Sequence, residues 1–188
     1  MDSNPNDCDW YHITFTMPDT VWPLFQENRA LLGQLFKLAS TYLLTVSKNL
    51  GLWIGIFAVL HTNGRQLNWH PHIHVSMTGG GIDNTGQWQS FKPNVSDIRV
   101  AWTESVKQFL QMAVHPDELP VDLMEASNEC GWFQFIEMLN NGRPWVVHSD
   151  KKTGYHKQTV NYLGRYLKRQ FCRKVDEVKR YIDNATSQ

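Results

Sequence analysis

Residues 69–81 read WHPHIHVSMTGGG. The alternation over 70–78 predicts a β-strand, in which successive side chains turn to opposite faces. Pro71, Ile73 and Val75 then pack into a core, while His70, His72 and His74 share the other face, ~7 Å apart along the strand. The stretch before it, 52–62, LWIGIFAVLHT, is apolar on both faces, which suits a central strand. NGRQLN between the two predicts an antiparallel hairpin, which brings His61 alongside His72. Two imidazoles at i and i+2 hold one divalent ion when a third group closes the site. His61 is the expected third ligand, and His70, beside Pro71 at the start of the strand, is a rim residue. The plainer alternative is a polar sheet face without an ion. Three nitrogen ligands with open positions suit zinc, Mn²⁺, or Mg²⁺ sharing a substrate phosphate. Such an ion acts as a Lewis acid on phosphoryl oxygen.

Outward from this stretch, WYHITFTM at 10–17 alternates and ends at Pro18, predicting another strand. Asp19 or Thr20 is placed to cap one long helix through about Leu50, with Pro23 in its first turn and Gly51 as its stop. Gly79 to Pro93 is expected as a loop, its three glycines forming a flexible turn or admitting a DNA strand to the backbone. Val95–Val114 has helical spacing. Residues 115–128 are expected to be irregular or weakly helical, and 132–139 fits a helix or a strand. PWVVH at 144–148 predicts a strand, and TVNYLGRYLKRQF from Thr159 a helix. The order predicts an α+β fold, an antiparallel sheet covered by helices, in a single domain over 1–188 with residues 1–8 and 175–188 as flexible tails.

The 188 residues are 41% hydrophobic, enough for one sizeable core. There is no run of apolar residues long enough for a membrane helix, and the polar start MDSNPNDCDW is not a signal peptide. Cys8, Cys130 and Cys172 form no CxxC pair, so neither a zinc module nor a disulfide framework is expected, and reduced thiols point to the cytoplasm. Net charge is zero, yet residues 151–180 hold ten Lys/Arg against Asp176 and Glu177, a local +8 that leaves −8 elsewhere. A basic stretch on an otherwise acidic chain suggests a polyanion site; a solvated helix face is the alternative.

Tyr162 and Tyr166 stand four apart inside that stretch, on one face of the expected helix, among Arg165, Lys168 and Arg169. A phenol has a pKa near ~10 and is a poor nucleophile alone. Beside cations and a metal-polarised phosphate it can attack phosphorus and form a phosphotyrosine. Two core aromatics of an amphipathic helix are the alternative. Lys151 and Lys152, just before it, are candidate phosphate grips. Trp69 and Trp88 are candidates for stacking on unpaired bases, or core residues. His12, His115, His148 and His156 show no spacing logic and are read as ordinary.

His72-Ile73-His74 matches the HUH motif (His, bulky apolar, His), and Tyr162-Leu-Gly-Arg-Tyr166 resembles the paired-tyrosine motif of the HUH endonucleases. The phrases HITFTMPDTVWPLF, GIFAVLHTNGRQLNWHPHIHVSMTGGG and QTVNYLGRYLKR resemble rolling-circle transposases of the insertion sequence ninety-one family, over about residues 9–170. That resemblance implies a ferredoxin-like or RRM-like antiparallel core, with the histidines on a central strand and the tyrosine helix facing them. It implies metal ligation by His72, His74 and His61, attack by Tyr162 or Tyr166, and DNA contacts from Lys151, Lys152, Arg165, Lys168 and Arg169. The implied reaction is nicking and transfer of single-stranded DNA, at transposon ends, through a 5′-phosphotyrosine, with Mg²⁺ or Mn²⁺ or else zinc, in a bacterial cell at the nucleoid. A replication initiator or relaxase would use the same chemistry, and a catalytically silent DNA-binding remnant is the rival from another class. Such transposases usually carry a zinc module before this domain and continue past the tyrosine helix, and neither feature is read in these residues.

Overall fold

A computed structural model describes residues 9–64, 66, 68–139 and 145–152. These lie within one unit, Cys8–Thr153. Among the described residues, five strands form one antiparallel sheet: β1 (Trp10–Phe15), β2 (Trp53–Asn63), β3 (Trp69–Ile82), β4 (Trp88–Ser90) and β5 (Val147–Lys152). The order is β2-β3-β1-β5, with β4 paired to the far end of β3. The expected α+β architecture is therefore present, and 52–62 and 70–78 do form antiparallel neighbours.

One expectation is corrected. Among the described residues, the stretch apolar on both faces, β2, lies at the end of the strand order and not in its centre; the central pair is β3 and β1. The apolar content of β2 is used on two faces. Ile54, Ile56, Ala58 and Leu60 pack toward the core, while Val59 and His61 stand opposite His74 and His72 on the other face.

The core face carries Tyr11, Ile13 and Phe15 from β1, Ile73, Val75 and Met77 from β3, and Val147 from β5, all buried. Helices α1 (Trp22–Glu27), α2 (Ala30–Asn49) and α3 (Val95–Ala113) pack against these strands. Burying this apolar surface is the main stabilising term, at roughly 25 cal/mol per Å². The single long helix expected before Gly51 is divided: Asn28, at φ −118° and ψ 83°, leaves helical geometry between α1 and α2. Neither Asp19 nor Thr20 supplies a cap; Asp19–Val21 is a short 3-10 turn. Gly51 does end α2, at φ 71°.

α3 starts where the Asn94 side chain accepts from the Ser96 amide at 3.0 Å, satisfying an amide the helix leaves unpaired. Trp102 on α3 donates to the Thr16 carbonyl at 2.6 Å, and Thr103 accepts from the Trp145 amide at 2.7 Å. These bonds tie the helix to the end of the sheet where β1 finishes and β5 begins. Residues 121–128 form a helix, α4, and the undecided stretch is also helical, α5 (Trp132–Met138). On α3, buried Lys107 reaches the Glu137 carboxylate on α5 at 3.3 Å and its backbone carbonyl at 3.2 Å.

The triple glycine is not a flexible turn. β3 runs through it to Ile82, and β4 folds back on it through a short hairpin. Each glycine is crowded by protein. A side chain at Gly79 would meet Asp9, at Gly80 the Trp88 ring and the Gln89 carbonyl, and at Gly81 the Trp53 carbonyl. The small residues permit strand packing, so nothing here favours an approach of DNA to this backbone.

Candidate metal and strand-transfer site

The face of the sheet opposite the helices is built from alternate residues of neighbouring strands. The register sets His61 directly across from His72 and Val59 across from His74. On the other side of β3, Thr14 lies across from His74 and His12 across from Ser76. Nitrogen atoms of His61, His72 and His74 come within 4.8 Å of one another, close enough that these three side chains could hold one metal ion. The ring centres of His61 are 5.2 Å from His72 and 4.6 Å from His74.

The ring orientations suit ligation. His72 Nδ1 lies 2.7 Å from the His70 carbonyl. A carbonyl only accepts, so Nδ1 carries the proton and Nε2 keeps its lone pair. Burial pushes His61 down to about 4, reinforced by the neighbouring His72 and His12 rings. Burial also pushes His74 down to about 3, with His61, His72 and His12 adding to it. His72 is lowered as well, chiefly by burial. All three are thus neutral at pH 7, the state that binds a metal.

His70 takes the rim position expected of it. Its ring stacks on Trp22 at 4.6 Å, and it contributes its carbonyl to His72. Trp69 turns to the core side, donates to the Trp22 carbonyl at 3.1 Å and carries Arg29 above its ring at 5.7 Å. Trp88 lies against Gly80. The two tryptophans therefore have packing roles. Lys151 lies in β5, paired with the Asp9 carboxylate at 2.7 Å, and this contact raises its pKa. Lys152 closes the same strand opposite Trp10. Tyr162, Tyr166, Arg165, Lys168 and Arg169, and the tails at 1–8 and 175–188, lie outside the described residues.

One histidine read as ordinary belongs to this site. His12 Nε2 lies 3.0 Å from His74 Nδ1, and His12 Nδ1 lies 3.2 Å from the Ser76 hydroxyl. Thr14 Oγ1 also approaches His74 Nδ1, at 3.1 Å. The alternation of WYHITF already turns His12 away from the core. The missing information was that β1 pairs with β3.

Residues 55–174 match the family model Y2_Tnp, described as "Putative transposase". The chain belongs to this transposase family. The resemblance read from the histidine and tyrosine motifs is borne out. The chain is similar to the "Transposase for insertion sequence element IS801" of Pseudomonas savastanoi pv. phaseolicola, 44% identical over 87% of this chain and 40% of that protein. It is also similar to the "Putative transposase y4qJ" of Sinorhizobium fredii, 30% identical over 87% of this chain and 44% of that protein. The chain thus spans about two fifths of the length of these curated relatives. No solved structure matches it. Among the described residues, no helix is long and apolar enough to cross a membrane.

Proposed function

We propose that this chain is the metal-dependent nicking and strand-transfer part of a DNA transposase, acting on single-stranded DNA at the ends of a mobile element. The observation that carries this reading is the set of three neutral imidazoles, His61, His72 and His74, gathered on one sheet face in a chain of a transposase family. Burial holds these three imidazoles neutral together, and a cation site accounts for such a cluster.

In this reading His61, His72 and His74 hold a divalent ion, Mn²⁺ or Mg²⁺, with zinc the alternative. Such an ion would withdraw charge from the oxygens of the scissile phosphate. Tyr162 or Tyr166 is the nucleophile. Its phenolic oxygen bonds to phosphorus, its proton is released, and the P–O3′ bond breaks, so that the 3′ oxygen leaves and becomes a hydroxyl. The DNA 5′ end is then held as a phosphotyrosine. A later 3′-hydroxyl attacks that phosphorus and restores a phosphodiester, with the bond energy conserved and no nucleotide consumed. A second tyrosine, four residues along the sequence, would let two strand ends be handled in alternation. Arg165, Lys168 and Arg169, with Lys151 and Lys152, hold the phosphate backbone. The chain is read as one catalytic domain, with imidazoles from the sheet and the phenol from the basic segment.

The test is cleavage of a labelled single-stranded oligonucleotide carrying an element end, with Mn²⁺ or Mg²⁺. Cleavage is expected with the metal, and is expected to vanish with chelator and in His72→Ala. Binding without cleavage under every metal would favour a silent DNA-binding remnant. Cleavage of any element-unrelated plasmid origin in preference would favour an initiator or relaxase.

A further inference from the structure

We infer that His12 is a positioning residue, which fixes the tautomer and aim of His74 so that His74 Nε2 faces the cation. This rests on the reading of His61, His72 and His74 as ligands.

The two rings meet rim to rim. Ring nitrogens lie on the periphery, so 3.0 Å between His12 Nε2 and His74 Nδ1 with 5.0 Å between ring centres means an edge-on approach. The planes lie 23° from parallel, and the two facing nitrogens are within hydrogen-bond distance. The near-parallel rings thus share an imidazole–imidazole hydrogen bond.

The direction of that bond follows from its neighbours. A His74 that ligates through Nε2 carries its proton on Nδ1 and must donate from there. His12 Nε2 is then the acceptor, so the His12 proton sits on Nδ1. That nitrogen faces the Ser76 hydroxyl at 3.2 Å, whose oxygen accepts it. Thr14 Oγ1, at 3.1 Å from His74 Nδ1, serves as a second acceptor for the same proton. The result is a relay with one consistent direction: His74 donates to His12, and His12 donates to Ser76.

The backbone enforces this order. His12 and Ser76 are direct partners in the β1–β3 ladder, and His74 is the partner of Thr14. His12 is therefore diagonal to His74 on one face, within reach of a long side chain. His72 obtains the same control from a backbone carbonyl. For His74 the matching contact comes from side chains on the next strand, His12 and Thr14. Partners of this kind typically alter metal affinity about ten- to a hundredfold when removed.

The experiment is calorimetric titration of the full chain with Mn²⁺ alone, with fold integrity followed by circular dichroism. Wild type is expected to bind and His72→Ala to lose binding; a wild type that does not bind would sink the metal reading itself. Given binding, His12→Ala is expected to weaken it about ten- to a hundredfold. His12→Gln, whose amide oxygen can accept from His74 Nδ1, is expected to recover most of the loss. Ser76→Ala should weaken binding in wild type and have no effect in the His12→Ala background. Affinity within twofold of wild type in His12→Ala, or no recovery in His12→Gln, would overturn the inference. Nitrogen NMR of the metal-free wild type supplies a reading independent of any variant. His74 protonated at Nδ1 is expected, and His74 protonated at Nε2 would overturn the assignment.

Discussion

His61 and His72 face each other directly across the β2–β3 ladder, their rings nearly perpendicular at 84°. The pair joins two strands that are adjacent in sequence, so a hairpin suffices to assemble most of the site. His70 is nearer to His72 in sequence, yet its ring is held by Trp22. His61→Ala should therefore weaken Mn²⁺ binding at least tenfold, whereas His70→Ala should change it by less than threefold, since the His70 carbonyl that orients His72 is kept and the His70 ring only packs beside it. Parallel titrations check this, and equal losses would move the third-ligand role.

The neutral imidazoles make the metal-free protein acid-sensitive. His61 is held at about 4 and His74 at about 3, against 6.5 in an unfolded chain. Between those values the unfolded chain binds protons that the folded chain refuses, so stability rises with pH. The contribution is complete above about 6.5, declines as pH falls, and for His61 levels off near 4. Denaturant midpoints should hold from pH 7.5 to about 6.5 and fall from there to pH 4.5, and His61→Asn should fall less steeply. A flat wild-type profile would contradict the assigned burial.

Two glycines should respond in opposite ways. Gly80→Ala would drive a methyl into the Trp88 ring and the Gln89 carbonyl, and should cost about 1–3 kcal/mol through overpacking. Gly33 lies inside α2 with open space around it, so Gly33→Ala should add about 0.5–1 kcal/mol. Urea unfolding of both variants tests the packing role given to the triple glycine.

The salt dependence of binding to single-stranded DNA should separate the basic residues. Lys151 is already engaged by Asp9 at 2.7 Å. Lys151→Ala should change the slope of log affinity against log salt by clearly less than Arg169→Ala, for which a loss near ~0.7 is expected per phosphate contact on a single strand. Equal losses would show that the Asp9 pair opens when DNA binds.

Much of this site was legible because strand parity is a local property. HPHIH turns its imidazoles to one face by alternation alone, and a short hairpin fixes His61 beside His72. The place of β2 was less legible. A strand apolar on both faces usually lies mid-sheet, but here the second apolar face adjoins the histidine cluster. The helix break at Asn28 was hidden because the leucine spacing continues beyond it. His12 was missed because its partner strand lies more than sixty residues away, and register across β1–β3 depends on tertiary pairing. The glycines misled because isolated Gly runs suggest turns, while their cause is close packing of Asp9, Trp88 and Trp53.

The most direct measurement is to incubate the 188-residue chain with Mn²⁺ and a single-stranded element end, digest it, and locate the covalently attached nucleotide by mass spectrometry. The account predicts a 5′-phosphate linked to Tyr162 or Tyr166, absent when His72 and His74 are replaced by alanine. Cleavage that leaves no protein–DNA linkage, or a linkage on any other residue, would contradict it.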